Sequence, residues 1–220
     1  MKLPQKRAVT TRVIYERVIS ITKRGMLVSV IYIDRSPLCL QGMRALLGDE
    51  VFCFSFPSIN LLQVIKNIPN VVIMDFPNKI YLFDDYLTFI NHARKMNSDV
   101  KILFFIDKVS PIVLSLIARA TPDIILDKHD DLSVVKRVCM ALIRHEVPDD
   151  VSYQWMKSKV TAITRGEALV LCETARAEGI ENTARRLNLN PKTVYSHLSN
   201  ASKKFGIRNR VELLKMLALL

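Results

Sequence analysis

From Val28 onward, short apolar runs alternate with longer stretches in which apolar residues recur every three or four positions. Val28–Ile33, Val51–Phe56, Val71–Met74, Ile102–Ile106 and Ile124–Leu126 are rich in Val, Ile and Phe. Continuous apolar runs of this length read as strands covered on both faces. Between them, Leu40, Met43, Leu46 and Leu47 keep helical spacing, as do Val134, Val138 and Leu142. Five strands separated by helices over about 120 residues predict a doubly wound, five-stranded parallel sheet, an α/β flavodoxin-like layer. The rhythm stops at Glu146, where EVPDDVSYQWMKSK shows no periodicity. After it come four helical patterns and no strand, so the expected second part is all-α.

The expected boundaries follow directly: a tail over 1–25, the α/β domain over 26–146, a linker over 147–160 and the helical domain over 161–220. In the tail, Ile14, Val18 and Ile21 keep helical spacing, so a short amphipathic helix and a mobile basic tail are both open. Met26 stands just before the first strand as a natural start.

Charge separates these parts further. The net charge is +11. Residues 1–25 carry +6, 26–150 carry −2 and 151–220 carry +7. A mildly acidic middle beside a strongly basic C-terminal third points the helical part toward a polyanion. With 50% apolar residues the chain is too hydrophobic to be disordered. Its apolar runs fall far short of the about 18–20 residues a bilayer crossing needs, and no secretory signal is visible. Cys39, Cys53, Cys139 and Cys172 form no C-x-x-C pair, and the four histidines lack metal spacing. The expectation is a cytoplasmic protein with no membrane partner, no cofactor and no metal. No Gly-rich phosphate loop or nucleophile–base pair suggests an enzyme.

The helical part carries the sharpest local signals. Thr164 and Glu167 have capping-box spacing, and Ala168, Leu171, Cys172 and Ala175 line one face of the helix they open. A short helix over about Glu181–Leu187 turns Thr183, Ala184 and Leu187 inward. The turn Asn188-Leu189-Asn190 leads to Pro191, and Asn190 is a strong N-cap for a third helix. Val194, Leu198, Ala201 and Phe205 form its buried stripe. Lys192, Tyr195, Ser196, Ser199, Asn200, Lys203 and Lys204 are left outside, without a single acid. An acid there would repel phosphates. A helix, a tight turn and an acid-free helix make the layout of a helix-turn-helix.

The run from Thr183 to Leu214 resembles the DNA-binding domain of the LuxR/FixJ (NarL-like) transcription regulators. Thr164, Glu167, Ala184, Thr193-Val194, His197, Lys203 to Gly206 and Arg208 to Arg210 carry the likeness. Ala177 and Arg165-Gly166 depart from it. The resemblance implies double-stranded DNA as partner, bound as a homodimer, a heterodimer with another regulator of the type being a further possibility. It gives His197 a packing or phosphate-side role. Tyr195, Ser196 and Ser199 are the expected base readers, while Lys192, Thr193, Lys203 and Arg210 are the expected phosphate anchors and Asn200 joins the same face. The last helix begins near Asn209, with Glu212 at capping-box spacing. Val211, Leu214 and Ala218 make one stripe, and Leu213, Met216, Leu217 and Leu220 fill much of the remaining arc. That second set is the expected dimerisation surface.

The α/β part is similar to a response-regulator receiver domain. Open parallel sheets put functional groups at the carboxyl ends of strands. Asp34 ends the first strand, Asp75 the third, and Lys128 follows the fifth. In the resemblance, Asp75 is the phosphoacceptor position, Asp34 belongs to an acidic pair and Lys128 is the conserved lysine. Arg35 stands where the second acid belongs, and Ile106 where a hydroxyl reads the phosphoryl group. FPNKIYLFDD after Asp75 lacks the usual Met-Pro-Gly loop. Phosphoryl transfer to a carboxylate needs Mg²⁺ among several oxygens, and an Arg beside it opposes that. The expectation is a degenerate receiver and a phosphorylation-independent regulator, the alternative being a regulator switched at Asp75.

Overall fold

The computed structural model describes residues 30–48, 51–58, 62, 69–107, 109–146, 160–177 and 179–220. The expected tail over 1–25 and nearly all of the 147–160 linker lie outside them.

Five strands form one sheet: β1 (Val30–Ile33), β2 (Val51–Phe54), β3 (Val71–Met74), β4 (Lys101–Ile106) and β5 (Ile124–Asp127). Their order is β2-β1-β3-β4-β5, the flavodoxin-like order that doubly wound sheets adopt. β1 pairs in parallel with β2 and β3, and β4 pairs in parallel with β5. All four residues of β1 and of β3 are buried, as their unbroken apolar runs require. Each such Val or Ile contributes roughly 1.5–3 kcal/mol relative to leaving it in water. The second strand ends at Phe54, two residues before the expected Phe56. The Phe54 carbonyl there accepts from Asp34 N, and the Pro57 that follows restricts Phe56 and has no N–H to extend the ladder.

Helices flank the sheet, three of them opened by a capping side chain. Ser36 caps α1 (Pro37–Leu47) by accepting from Cys39 N, and Pro37 starts the first turn. The helix stops at Gly48, whose φ of 68° suits glycine. Next come α2 (Phe83–Met96) and α3 (Pro111–Arg119), the latter capped by Ser110 ahead of Pro111. Asp131 caps α4 (Leu132–Ile143) through Ser133 N. The buried stripe of α4 is Val135, Val138, Cys139 and Leu142, so Val134 stands one position off it, half-buried. Tyr32, Phe83, Tyr86, Phe89 and Phe104 are the largest fully buried side chains.

The C-terminal region is all-helical among its described residues: α5 (Arg165–Ala177), α6 (Ile180–Leu187), α7 (Pro191–Lys204) and α8 (Arg210–Leu219). α5, α6 and α7 pack mutually, and α8 packs on α5 and α7. Val170, Leu171, Ala184, Val194, Leu198, Ala201, Leu213 and Leu217 form the core. Phe205, expected on the same stripe, is half-buried. No helix among the described residues is long and apolar enough to cross a membrane.

Candidate nucleic-acid interface

The turn that aims α7 is built from two asparagines. Asn188 takes a left-handed conformation, φ 53°, and closes α6 with its N–H on helical carbonyls. Asn tolerates that region better than most side chains. Two residues later Asn190 caps α7, its side chain accepting from Lys192 N at 2.9 Å. α6 and α7 thus meet at a short, locally determined turn.

A second lock fixes α5 against α7. Thr164 N donates to Glu167 Oε2 at 2.7 Å while Glu167 N donates to Thr164 Oγ1 at 3.2 Å. The expected capping box is therefore present in both directions. Glu167 is 3% exposed and also accepts from Lys204 Nζ at 2.8 Å, tying the start of α5 to the end of α7. Burial pushes its carboxyl up, but the Lys204 hydrogen bond and charge, with the Thr164 bonds, outweigh this and hold it below the usual range.

With α7 held this way, Val194, Leu198 and Ala201 are buried, and Lys192, Thr193, Tyr195, Ser196, Ser199, Asn200 and Lys203 are exposed. Lys204, expected on the same face, is instead turned to Glu167. The Ser196 hydroxyl donates to the Lys192 carbonyl at 3.0 Å, which leaves its lone pairs for an incoming donor. Arg210, the first residue of α8, lies against this surface, its guanidinium carbon 4.4 Å from the centre of the Tyr195 ring. That pairing is beyond sequence spacing to reveal, since it depends on how the 205–209 turn brings α8 back to α7.

α8 divides its apolar residues differently from the expectation. Leu213 and Leu217 are buried in the chain itself, Met216 and Leu220 half-buried. Val211, at 59% exposed, and Ala218 lie open, with Leu214 half-buried beside them. The wider apolar arc comes from one stripe serving the core and another facing solvent.

At the carboxyl edge of the sheet, Asp34 accepts hydrogen bonds from its own segment. It is 1% exposed; Tyr32 Oη donates to Oδ2 at 2.5 Å and Ser36 N to Oδ1 at 2.7 Å. Arg35 is exposed, its guanidinium 5.7 Å from the centre of the Phe56 ring. Asp75 pairs with Lys128, Nζ to Oδ2 2.9 Å, and accepts from Phe76 N at 2.8 Å. Ile106 is buried at the end of β4 and offers no hydroxyl. Each oxygen of Asp34 already accepts a hydrogen bond, so a hard divalent cation would have to use its remaining lone pairs.

Among the described residues, Asp107, Asp127 and His129 bring their ligand atoms within 4.8 Å of one another, all exposed. His129 Nδ1 is 2.9 Å from Asp127 and 3.4 Å from Asp107. The Asp127 hydrogen bond and charge, then the Asp107 charge, raise the imidazole above its usual pKa. This group joins residues twenty positions apart, and spacing along the chain does not show it. Burial pushes the Cys139 thiol up to about 12, which removes it as a nucleophile.

Comparison with known proteins agrees with this geometry. Residues 161–217 match the family model of bacterial regulatory proteins of the luxR family. Among solved structures, RcsB from Salmonella enterica serovar Typhimurium is similar, described as bound to the promoter rprA in the presence of a phosphomimetic. Identity is 22% over 88% of this chain and 99% of that one, with a TM-score of 0.58. A structure of the two-component response regulator RcsB in complex with DNA is similar at 24% identity, covering 87% of this chain and 99% of that one, TM-score 0.60. At these identities the likeness shows the shared fold alone: a five-stranded α/β domain followed by a helical domain. A comparison with curated proteins finds no match.

Proposed function

We propose that this protein is a transcription regulator that binds duplex DNA as a dimer through α7 and acts without phosphorylation of Asp75. The observation that carries the reading is the exposed, acid-free face of α7, capped by Asn190 and held by the Glu167–Lys204 pair, within the luxR-family region. Lys192, Thr193, Lys203 and Arg210 meet backbone phosphates, which position the helix, while Ser196 and Ser199 reach base edges in the major groove. The +7 charge of residues 151–220 supplies the long-range attraction. The relatives of similar fold are described on DNA, which supports the same partner here.

Independence from phosphorylation rests on chemistry at the sheet edge. Arg35 stands in sequence where a second acid would supply a metal-binding oxygen, each oxygen of Asp34 already accepts a hydrogen bond, and the Ile106 side chain cannot hydrogen-bond a phosphoryl group. The 2.9 Å pair of Asp75 with Lys128 is the observation that favours the second reading, a regulator switched at Asp75. A cation next to the acceptor carboxylate is one of the parts that chemistry requires.

Selection of bound sequences from a random duplex pool tests the main reading. A two-fold symmetric motif, with half-sites about one helical turn apart, is the expected result. Failure to enrich any motif, or equal affinity for single strands, would overturn it.

A further inference from the structure

The stack of Arg210 on Tyr195 changes what Tyr195 does, on the premise that α7 faces DNA. A guanidinium 4.4 Å from a ring centre lies well inside the range of a cation–π contact. Tyr195 is 39% exposed and Arg210 is exposed, so the pair stands at the open surface and not in the core. One ring face is therefore covered by the cation and is not free to pack on a thymine methyl.

The pair lines a surface cleft of about 520 Å³ between α7 and the turn leading into α8. Lys203, Arg208 and Arg210 supply three cations to its lining, and no acid is among the lining residues. The backbone that carries two of them is fixed: Asn209 Oδ1 accepts from Glu212 N at 2.9 Å, and Glu212 Oε2 accepts from Arg208 N at 3.3 Å.

We propose that Tyr195 is a positioning residue, whose ring holds Arg210 so that Arg210, Arg208 and Lys203 grip one backbone phosphate of bound duplex DNA. A guanidinium presents a planar fork that fits phosphate oxygens in pairs. A free Arg side chain loses rotamer freedom when it binds, and stacking it beforehand removes part of that loss. Sequence preference then falls to Ser196 and Ser199, and Tyr195 contributes affinity without reading a base.

The full chain and its Y195A, Y195F, R210A and Y195A/R210A variants are titrated against two labelled duplexes. One is the motif selected by the wild type, the other a scrambled duplex of equal length. Y195A and R210A are each expected to weaken both duplexes by about five-fold. Each should lower the slope of affinity against salt by less than one full phosphate contact, because Arg208 and Lys203 remain on the same phosphate. The double variant should be no weaker than R210A within two-fold, and Y195F should bind like the wild type, because phenylalanine keeps the ring. Multiplying losses in the double variant overturn the proposal, as does a Y195F loss equal to that of Y195A. So does a Y195A change confined to one base pair of the selected motif. Wild-type protein that binds neither duplex overturns the DNA reading itself; wild-type binding with unaffected variants overturns this inference alone.

Discussion

A methyl group added to Gly166 would stand 2.8 Å from Cε1 of His197, closer than packed carbon atoms come. Gly166 sits in the first turn of α5 and His197 in the middle of α7, so the imidazole packs where any other side chain would begin. The Arg165-Gly166 departure noted in the sequence thus belongs to a contact between two helices. It also places His197 as a packing residue.

Gly166→Ala is expected to destabilise the helical region by about 1 kcal/mol, because the clash exceeds the small gain in helix propensity. His197→Ala in the same chain should recover most of that loss. Urea unfolding of the single and double variants measures it. Additive losses would show that the ring moves aside freely and that the contact has no energetic weight.

Glu167 gives the helical region an acid-sensitive point. Its carboxyl is held below the usual range when folded, so the stability it contributes is full above the unfolded value of about 4.3. That stability is lost as pH falls through the lower, folded value. Glu167→Gln should cost about 1–2 kcal/mol near neutrality and flatten the acid limb. Lys204→Met leaves a buried carboxylate unpaired, and should cost about 2 kcal/mol after allowing for the partial exposure of the lysine. Amide hydrogen exchange in α5 and α7 between pH 3 and 7 reads both effects. An unchanged acid limb in Glu167→Gln would assign the sensitivity to other carboxylates.

These contacts mark how far the sequence could be read. The capping box of Thr164 with Glu167 and the Asn209 cap on Glu212 N were legible, because capping partners lie three residues apart on one chain segment; that Glu212 accepts from Arg208 N and not from Asn209 N was not. The strands and the open face of α7 followed from periodicity in the same way. Contacts made through tertiary packing were not legible. Tyr32 and Asp34 are neighbours on one strand face, but only the fold shows that the phenol spends its proton on that carboxylate. The Gly166–His197 and Tyr195–Arg210 pairs depend on helix packing. For α8 the sequence showed excess apolar surface and not which stripe the core would take.

Asp75→Asn is expected to change DNA affinity by less than about two-fold, and incubation with acetyl phosphate and Mg²⁺ should add no phosphate by intact mass. Lys128 would lose its ion-pair partner, a modest effect for groups that water still reaches. Clear phosphorylation coupled to tighter binding would select the reading in which Asp75 is a switch.

Ser196→Ala and Lys203→Ala separate reading from anchoring. The serine change should cost about 1–3 kcal/mol on the selected motif and relax one base pair. Removing the lysine should weaken every duplex alike and reduce the salt slope by about one. A quantitative binding series on single-base variants of the motif distinguishes them. Identical, sequence-blind losses from both changes would remove Ser196 from the reading set.

The dimer is best tested on the open stripe of α8. Leu213 and Leu217 are 0% and 2% exposed, so a lysine at Leu217 would unfold the helical core before it could report on association. Val211 and Ala218 are exposed and lie about two turns apart on one side of the helix, with Leu214 half-buried between them. Two such stripes meeting across a two-fold axis would bury that surface and set the spacing of two half-sites. Val211→Lys with Ala218→Glu should leave the circular dichroism spectrum and the melting temperature nearly unchanged. The same pair of changes should abolish the gain that a two-half-site duplex has over a single half-site, while single-site affinity stays within about three-fold. If the doubly changed chain still binds two half-sites cooperatively, α8 is not the dimer contact, and association must be sought on another surface of the chain.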